Sequence, residues 1–198
     1  MKSETKKTLL FITSILSVLS LFLSYYEIYR YFSIYIFNLD RYKLKYEKLE
    51  KVKKTVIIMY KNDDKSDETL KSILDQTIGV EEIIVYGTKD TEKYKKLGIK
   101  TSQKQSENGD CMIIYDSVKK YDNDTIIISI IDGVIYGKDF IRVLLDSINE
   151  NPNTLIKTPH AMAFKPDYFG TDIDVKEPLK YVNVGTKNLS YNLNYKVI

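Results

Sequence analysis

In the stretch TIIISIIDGVIYGKDF (residues 125–140) a β-branched apolar run gives way to one aspartate, Asp132, and then a glycine, Gly133. A carboxylate at the end of a buried strand suits three tasks. It can hold a metal on a nucleotide, accept a phosphoryl group, or cap the turn that follows. A second acidic pair lies in Lys61-Asn62-Asp63-Asp64, directly after another apolar run, TVIIMY (55–60). Asp63 and Asp64 suit either contact with a nucleotide or the N-cap of the next helix. Composition removes several other chemistries. His160 is the one histidine and Cys111 the one cysteine, so a histidine cluster, a Cys–His pair, an internal disulfide and an ordinary zinc site are all excluded. Net charge is +3, with lysines interleaved among acids, which argues against nucleic acid as a partner.

The elements that must position these residues follow from the apolar pattern. With 43% hydrophobic and 29% charged residues, the chain can bury a core. Short apolar runs at 55–60, 81–87 (EEIIVYG) and 125–131 (TIIISII) read as strands buried on both faces. Helical spacing recurs in 68–76, around 91–97, in 109–121 and in 138–149, where Phe140, Ile141, Leu144, Leu145 and Ile148 share a face. Residues 98–102 read as a further strand, and Asn151-Pro152-Asn153 stops the last helix. Strands alternating with helices predict an α/β fold with a mostly parallel sheet. In such sheets ligands bind beyond the carboxyl ends of the strands, where strand order reverses. That rule puts Lys61–Asp64 and Asp132-Gly133 on one edge. There is no glycine-rich phosphate loop.

The first residues form a separate object. Thr8 to Tyr26 holds no charge over 19 residues, which as a helix would cover about 28 Å, near the thickness of a bilayer core. An uncleaved transmembrane helix is expected, since the run is long for a signal peptide and no small-residue cleavage site follows. The densely aromatic stretch 25–37 suits the membrane interface; a second span there would have to bury Glu27 and Arg30. Residues 1–37 are thus expected to be anchor and interfacial segment, 38–54 a charged helical stalk acting as a solvated spacer, and 55–198 the folded domain. Lysines precede the span and basic residues follow it, so the side of the membrane is not fixed.

Two stretches resemble family 2 glycosyltransferases of the GT-A, Rossmann-like fold. One is TVIIMYKNDDKSDETLKSILDQTIGVEEIIVYG, with its helix ending Asp75-Gln76-Thr77. The other is YDNDTIIISIIDGVIYGKDFIRVLLDSINENPNTLI. The resemblance covers residues 55–169. It implies a UDP- or GDP-sugar donor at the sheet edge, and Mn²⁺ or Mg²⁺ bridging its diphosphate to an Asp-x-Asp triplet. The triplet falls on Ile131-Asp132-Gly133, where glycine takes the position that usually holds the metal and the middle residue, Asp132, is the carboxylate left to hold it. It also implies donor contacts from Lys61, Asn62, Asp63, Asp64, Tyr86 and His160, and a catalytic base at Asp172 or Asp174, which would deprotonate the acceptor hydroxyl. The expected function is sugar transfer to an acceptor by a membrane-anchored protein. The alternative is a non-catalytic module that keeps the fold for binding or scaffolding at a membrane. A second arrangement is that of a receiver domain, in which Asp63 and Asp64 would hold Mg²⁺ beside a phosphorylated Asp132, with Lys157 nearby. Asn123-Asp124-Thr125 and Asn188-Leu189-Ser190 are glycosylation sequons, relevant if the domain faces a lumen.

Overall fold

A computed structural model of the chain describes residues 2–61, 66–88, 91–102, 120–151, 154–169, 181–183 and 196–197. The chain divides into two compact units, 1–38 and 39–198.

The first unit is one helix, α1 (Lys2–Ile36). Its 35 residues correspond to about 52 Å at 1.5 Å per residue. The most apolar 18 residues within Thr8–Ile36 have a mean hydropathy of 2.0, and this helix is long and apolar enough to cross a membrane. The aromatic stretch continues the same helix without a break. Polar groups inside it are satisfied locally: the hydroxyls of Thr13, Ser14 and Ser17 donate to carbonyls one turn back, at 2.9–3.0 Å. Such self-bonding is what an apolar setting requires of a hydroxyl.

In the second unit, residues 39–54 do not stand apart as a solvated stalk. Leu39–Tyr46 forms α2, whose Leu39, Tyr42 and Tyr46 are buried. The spacing i, i+3, i+7 gives that apolar stripe a single helical face. The Tyr46 hydroxyl accepts from the Val80 amide at 2.7 Å and lies 3.1 Å from the Val80 carbonyl, to which it donates. Lys45 pairs with the buried Asp75. The charges that suggested a spacer lie on the outer face of an element that packs.

The remaining elements are β1 (Lys51–Tyr60), α3 (Ser66–Leu74), β2 (Gly79–Tyr86), α4 (Thr91–Lys96), β3 (Lys100–Ser102), β4 (Ile126–Ile130), β5 (Val134–Ile135), α5 (Phe140–Glu150), β6 (Leu155–Thr158), β7 (Ala161–Phe164), β8 (Tyr181–Asn183) and β9 (Lys196–Val197). Seven strands form one sheet in the order β3-β2-β1-β4-β7-β6-β8, while β5 pairs with β9 apart from it. β2 and β4 flank β1 in parallel, β3 runs parallel to β2, and β8 runs parallel to β6. β5 and β9 pair antiparallel outside the seven-stranded sheet, and among that sheet's described strands β7 alone runs against its neighbours. The reason is local: Pro159 and His160 alone separate Thr158 from its partner Ala161, and so tight a connection makes antiparallel strands.

The fold is therefore α/β with a mostly parallel sheet and flanking helices, as the alternation predicts. One sheet face carries Val56, Ile58, Ile84, Tyr86, Ile127 and Phe164 in a single buried cluster. Ile57, Met59, Val85, Ile128 and Ala163 are buried on the opposite side of the pleat. Helix α5 lies against β6 and β7, burying the five apolar residues that its spacing singled out. The helix expected over 109–121 falls largely outside the described residues.

Candidate functional site at the carboxyl edge

Strand β1 has β2 on one side and β4 on the other, so chain order reverses at β1, and in sheets of this kind ligands bind beyond the carboxyl ends of the strands at that point. Met59 lies opposite Ile130, and two residues further on Lys61 and Asp132 leave the sheet at the same level. Because β7 is antiparallel, its first turn reaches this edge too: the Ile131 amide donates to the His160 carbonyl at 3.1 Å. Lys61, Asp132 and His160 thus share one edge, where the parallel-sheet rule expects Lys61 and Asp132.

Asp132 is half-buried and held from two sides. One carboxylate oxygen, Oδ1, accepts from the Gly133 amide at 2.9 Å, and Oδ2 accepts from the Ser66 hydroxyl at 2.6 Å. Ser66 is fully buried and opens α3. Gly133 has φ +78°, the left-handed region, and a Cβ added there would meet nothing within 4 Å. The glycine thus answers to the backbone turn, and the space beside it is open.

Behind Asp132 the segment 134–141 is fastened to α3 and to Gln76 and Thr77 just beyond it. The Val134 amide donates to the Thr69 hydroxyl and the Tyr136 amide to the Ser72 hydroxyl, each at 3.0 Å. Gln76 donates to the carbonyls of Ser72 and Gly137 at 2.8 and 2.7 Å, and accepts from the Ile141 amide at 3.1 Å. The Thr77 amide donates to the Lys138 carbonyl at 3.0 Å, and its hydroxyl donates to the Asp139 carboxylate at 2.7 Å. Amides two apart on an extended chain point to one side, and hydroxyls three apart on a helix share a face. The α3 side chains therefore act as a partner strand for this segment. Asp139 stands at the N-cap of α5 but makes no capping bond. Gln76 instead takes up an orphan amide of that helix's first turn. The Ser-Ile-Leu-Asp-Gln-Thr ending is explained by this fastening.

Tyr136 closes the arrangement. It is fully buried, and its hydroxyl donates to the His160 carbonyl at 2.6 Å and accepts from the Ile131 amide at 3.0 Å. Burial first, and then the Asp132 charge, push its pKa far above the ordinary tyrosine range, so it stays a neutral donor. Tyr136 thereby ties the loop carrying Asp132 to the turn carrying His160.

The other predicted residues are placed as follows. The Lys61 amide donates to the Tyr86 carbonyl at 2.9 Å. The Tyr86 ring is buried in the sheet-face cluster, against which Tyr60, Tyr121 and Tyr168 pack. Burial and the nearby Glu82 carboxylate raise the Tyr121 pKa. Lys157 lies on β6, with β7 between it and β4. The receiver-type strand order 2-1-3-4-5 is not the order seen here. Asn62, Asp63, Asp64, Asp172, Asp174 and Cys111 lie outside the described residues.

A hard divalent cation wants about six oxygen ligands. Among the described residues no group of three His, Cys, Asp or Glu side chains could hold a metal. Asp132, oriented by Ser66, offers one anchoring carboxylate, and phosphate and water would have to complete a shell around it. The chain matches no family model and no curated protein.

Proposed function

We propose that this protein is a membrane-anchored, glycosyltransferase-like domain of GT-A type that binds a nucleotide-sugar at the carboxyl edge of its sheet and transfers the sugar to an acceptor. The observation that carries the reading is the reversal of strand order at β1, with Asp132 fixed at that edge by Ser66 and the Gly133 amide. A carboxylate held by two donors meets a ligand without first being ordered, which lowers the cost of binding. In this reading α1 is the membrane span. Asp132 would anchor a Mn²⁺ or Mg²⁺ ion on the donor diphosphate. The ion's chemistry is to neutralise charge on the leaving nucleoside diphosphate. The Lys61 and His160 segments border the donor, and Asp172 or Asp174 supplies the base.

One observation favours the second reading, a non-catalytic binding module: Gly133 stands where the resemblance expects a second carboxylate. Thermal unfolding of the full chain in detergent, with UDP, GDP or a UDP-sugar and with or without Mn²⁺, separates the two. A ligand at a hundred times its dissociation constant should add about 2.7 kcal/mol of stability. A metal-dependent shift that is lost in Asp132→Asn supports the donor site. No shift with any nucleotide removes it and leaves the binding module.

A further inference from the structure

We infer that the outer face of α2, continued by the first residues of β1, is a contact surface for anionic lipid headgroups; the inference rests on the reading of α1 as a membrane span. Only Phe37 and Asn38 separate α1 from α2 in the chain. The buried stripe of α2 leaves Arg41, Leu44, Lys45 and Lys48 outward, at i, i+3, i+4 and i+7. The turn that ends the helix carries Lys48 on, its amide donating to the Lys45 carbonyl at 3.2 Å. Leu44 is 62% exposed, a large apolar side chain in the middle of a basic face.

The start of β1 extends the same chemistry. Lys51, Lys53 and Lys54 are all exposed, because the strand register shifts between Val52 and Val56 and Lys54 adopts a left-handed φ of 52°. A regular strand would have turned alternate side chains inward. From Arg41 to Lys54 the sequence has seven basic residues, against three acidic ones from Asp40 to Glu50. Part of that charge is met inside the protein: Lys43 by Glu47, Lys45 by Asp75 and Lys54 by Asp124. Lys48 and Lys53 remain at the surface. A basic face with one exposed leucine, beginning two residues from an apolar helix, matches an anionic bilayer surface in charge and in polarity. A second protein would have to compete with a surface that chain continuity keeps close by.

The test uses the full chain in lipid nanodiscs, which leave both membrane faces open. Amine-reactive labelling of individual lysines is read by mass spectrometry in neutral phosphatidylcholine discs and in discs containing phosphatidylglycerol. Lys48 and Lys53 should label about fivefold more slowly in the anionic discs, the factor equivalent to about 1 kcal/mol per lysine near such a surface. High salt should restore the rate, and Lys95 on α4 should be unaffected. In a Leu44→Ser, Lys48→Gln variant the remaining Lys53 should lose most of its lipid dependence. Equal rates in the two lipids, or slowing as large at Lys95, overturns the inference while leaving the anchor intact. Extraction of the chain from membranes by alkaline carbonate removes the anchor reading, and this inference with it.

Discussion

Replacing Gln76 tests whether the fastening of residues 132–141 to α3 holds the candidate site together. The side chain is 1% exposed and serves three groups, the Ser72 and Gly137 carbonyls and the Ile141 amide. In Gln76→Leu the volume is nearly kept, but the Ile141 amide loses its partner in a buried place and the Gly137 carbonyl keeps only the Phe140 amide at 3.2 Å. A stranded buried amide costs about 1–3 kcal/mol, and the variant should lose about that much. Ser72 keeps its helical neighbours and adds little. The assay is denaturant unfolding of the full chain in detergent, combined with hydrogen exchange of individual amides. The Val134, Tyr136 and Ile141 amides should exchange orders of magnitude faster in the variant, whereas the amides of β1 should change only with global stability. A variant as stable as the wild type, with those three amides still protected, would refute the reasoning. It would mean that apolar packing of α5 alone fixes the segment.

Other substitutions probe the same architecture. Burial pushes the Tyr46 pKa up from 10.0 to about 12. Its neutral form is favoured in the fold, so its contribution is complete below pH 10 and lost as pH rises from 10 towards 12. At about 1.4 kcal/mol per unit this is on the order of 2–3 kcal/mol. Tyr46→Phe should be less stable at neutral pH and should show a shallower loss across that window, read as the difference between the two unfolding curves. Tyr136→Phe removes the hydroxyl shared by the His160 carbonyl and the Ile131 amide, leaving them only their mutual bond, and should cost about 1 kcal/mol, with faster exchange of the Ile131 amide as the local reading. Gly133→Ala should cost only the left-handed backbone, about 1–2 kcal/mol. Gly87→Ala should cost more in the same melt, because its Cβ would sit 3.0 Å from the Tyr60 ring and 3.2 Å from the Lys61 carbonyl.

How far the fold was legible varies by element, for physical reasons. Strands β1, β2 and β4 and helices α3 and α5 announce themselves because buried apolar residues impose a period on the sequence. The segment KVKK at the head of β1 gives no such signal: its bulge turns the lysines outward, so a strand reads as a stalk. Strand β7, AMAF, is too short to carry a period, and its reversal is set by the two-residue turn at Pro159-His160. At the candidate site, the shared level of Lys61 and Asp132 follows from the parallel-sheet rule. The partner of Asp132 does not, because Ser66 is 66 residues distant and its hydroxyl looks like any helix-opening serine. Gln76 was visible as part of a resemblance, but its task became clear only with Gly137 and Ile141 beside it. The sequence placed the carboxylate, and the contacts that hold it are long-range.

Those contacts have a consequence in time. Every bond between the 66–77 stretch and the 132–141 segment joins residues more than sixty apart in the chain. Closing so long a loop must precede any return from these bonds. Until β4 has emerged and docked beside β1, the hydroxyls of Ser66, Thr69 and Ser72 have only water or their own helix to bind. The edge that carries Asp132 is therefore completed late in folding. A chain halted before residue 126 would hold β1 and β2 yet lack both β4 and the carboxylate that the edge presents.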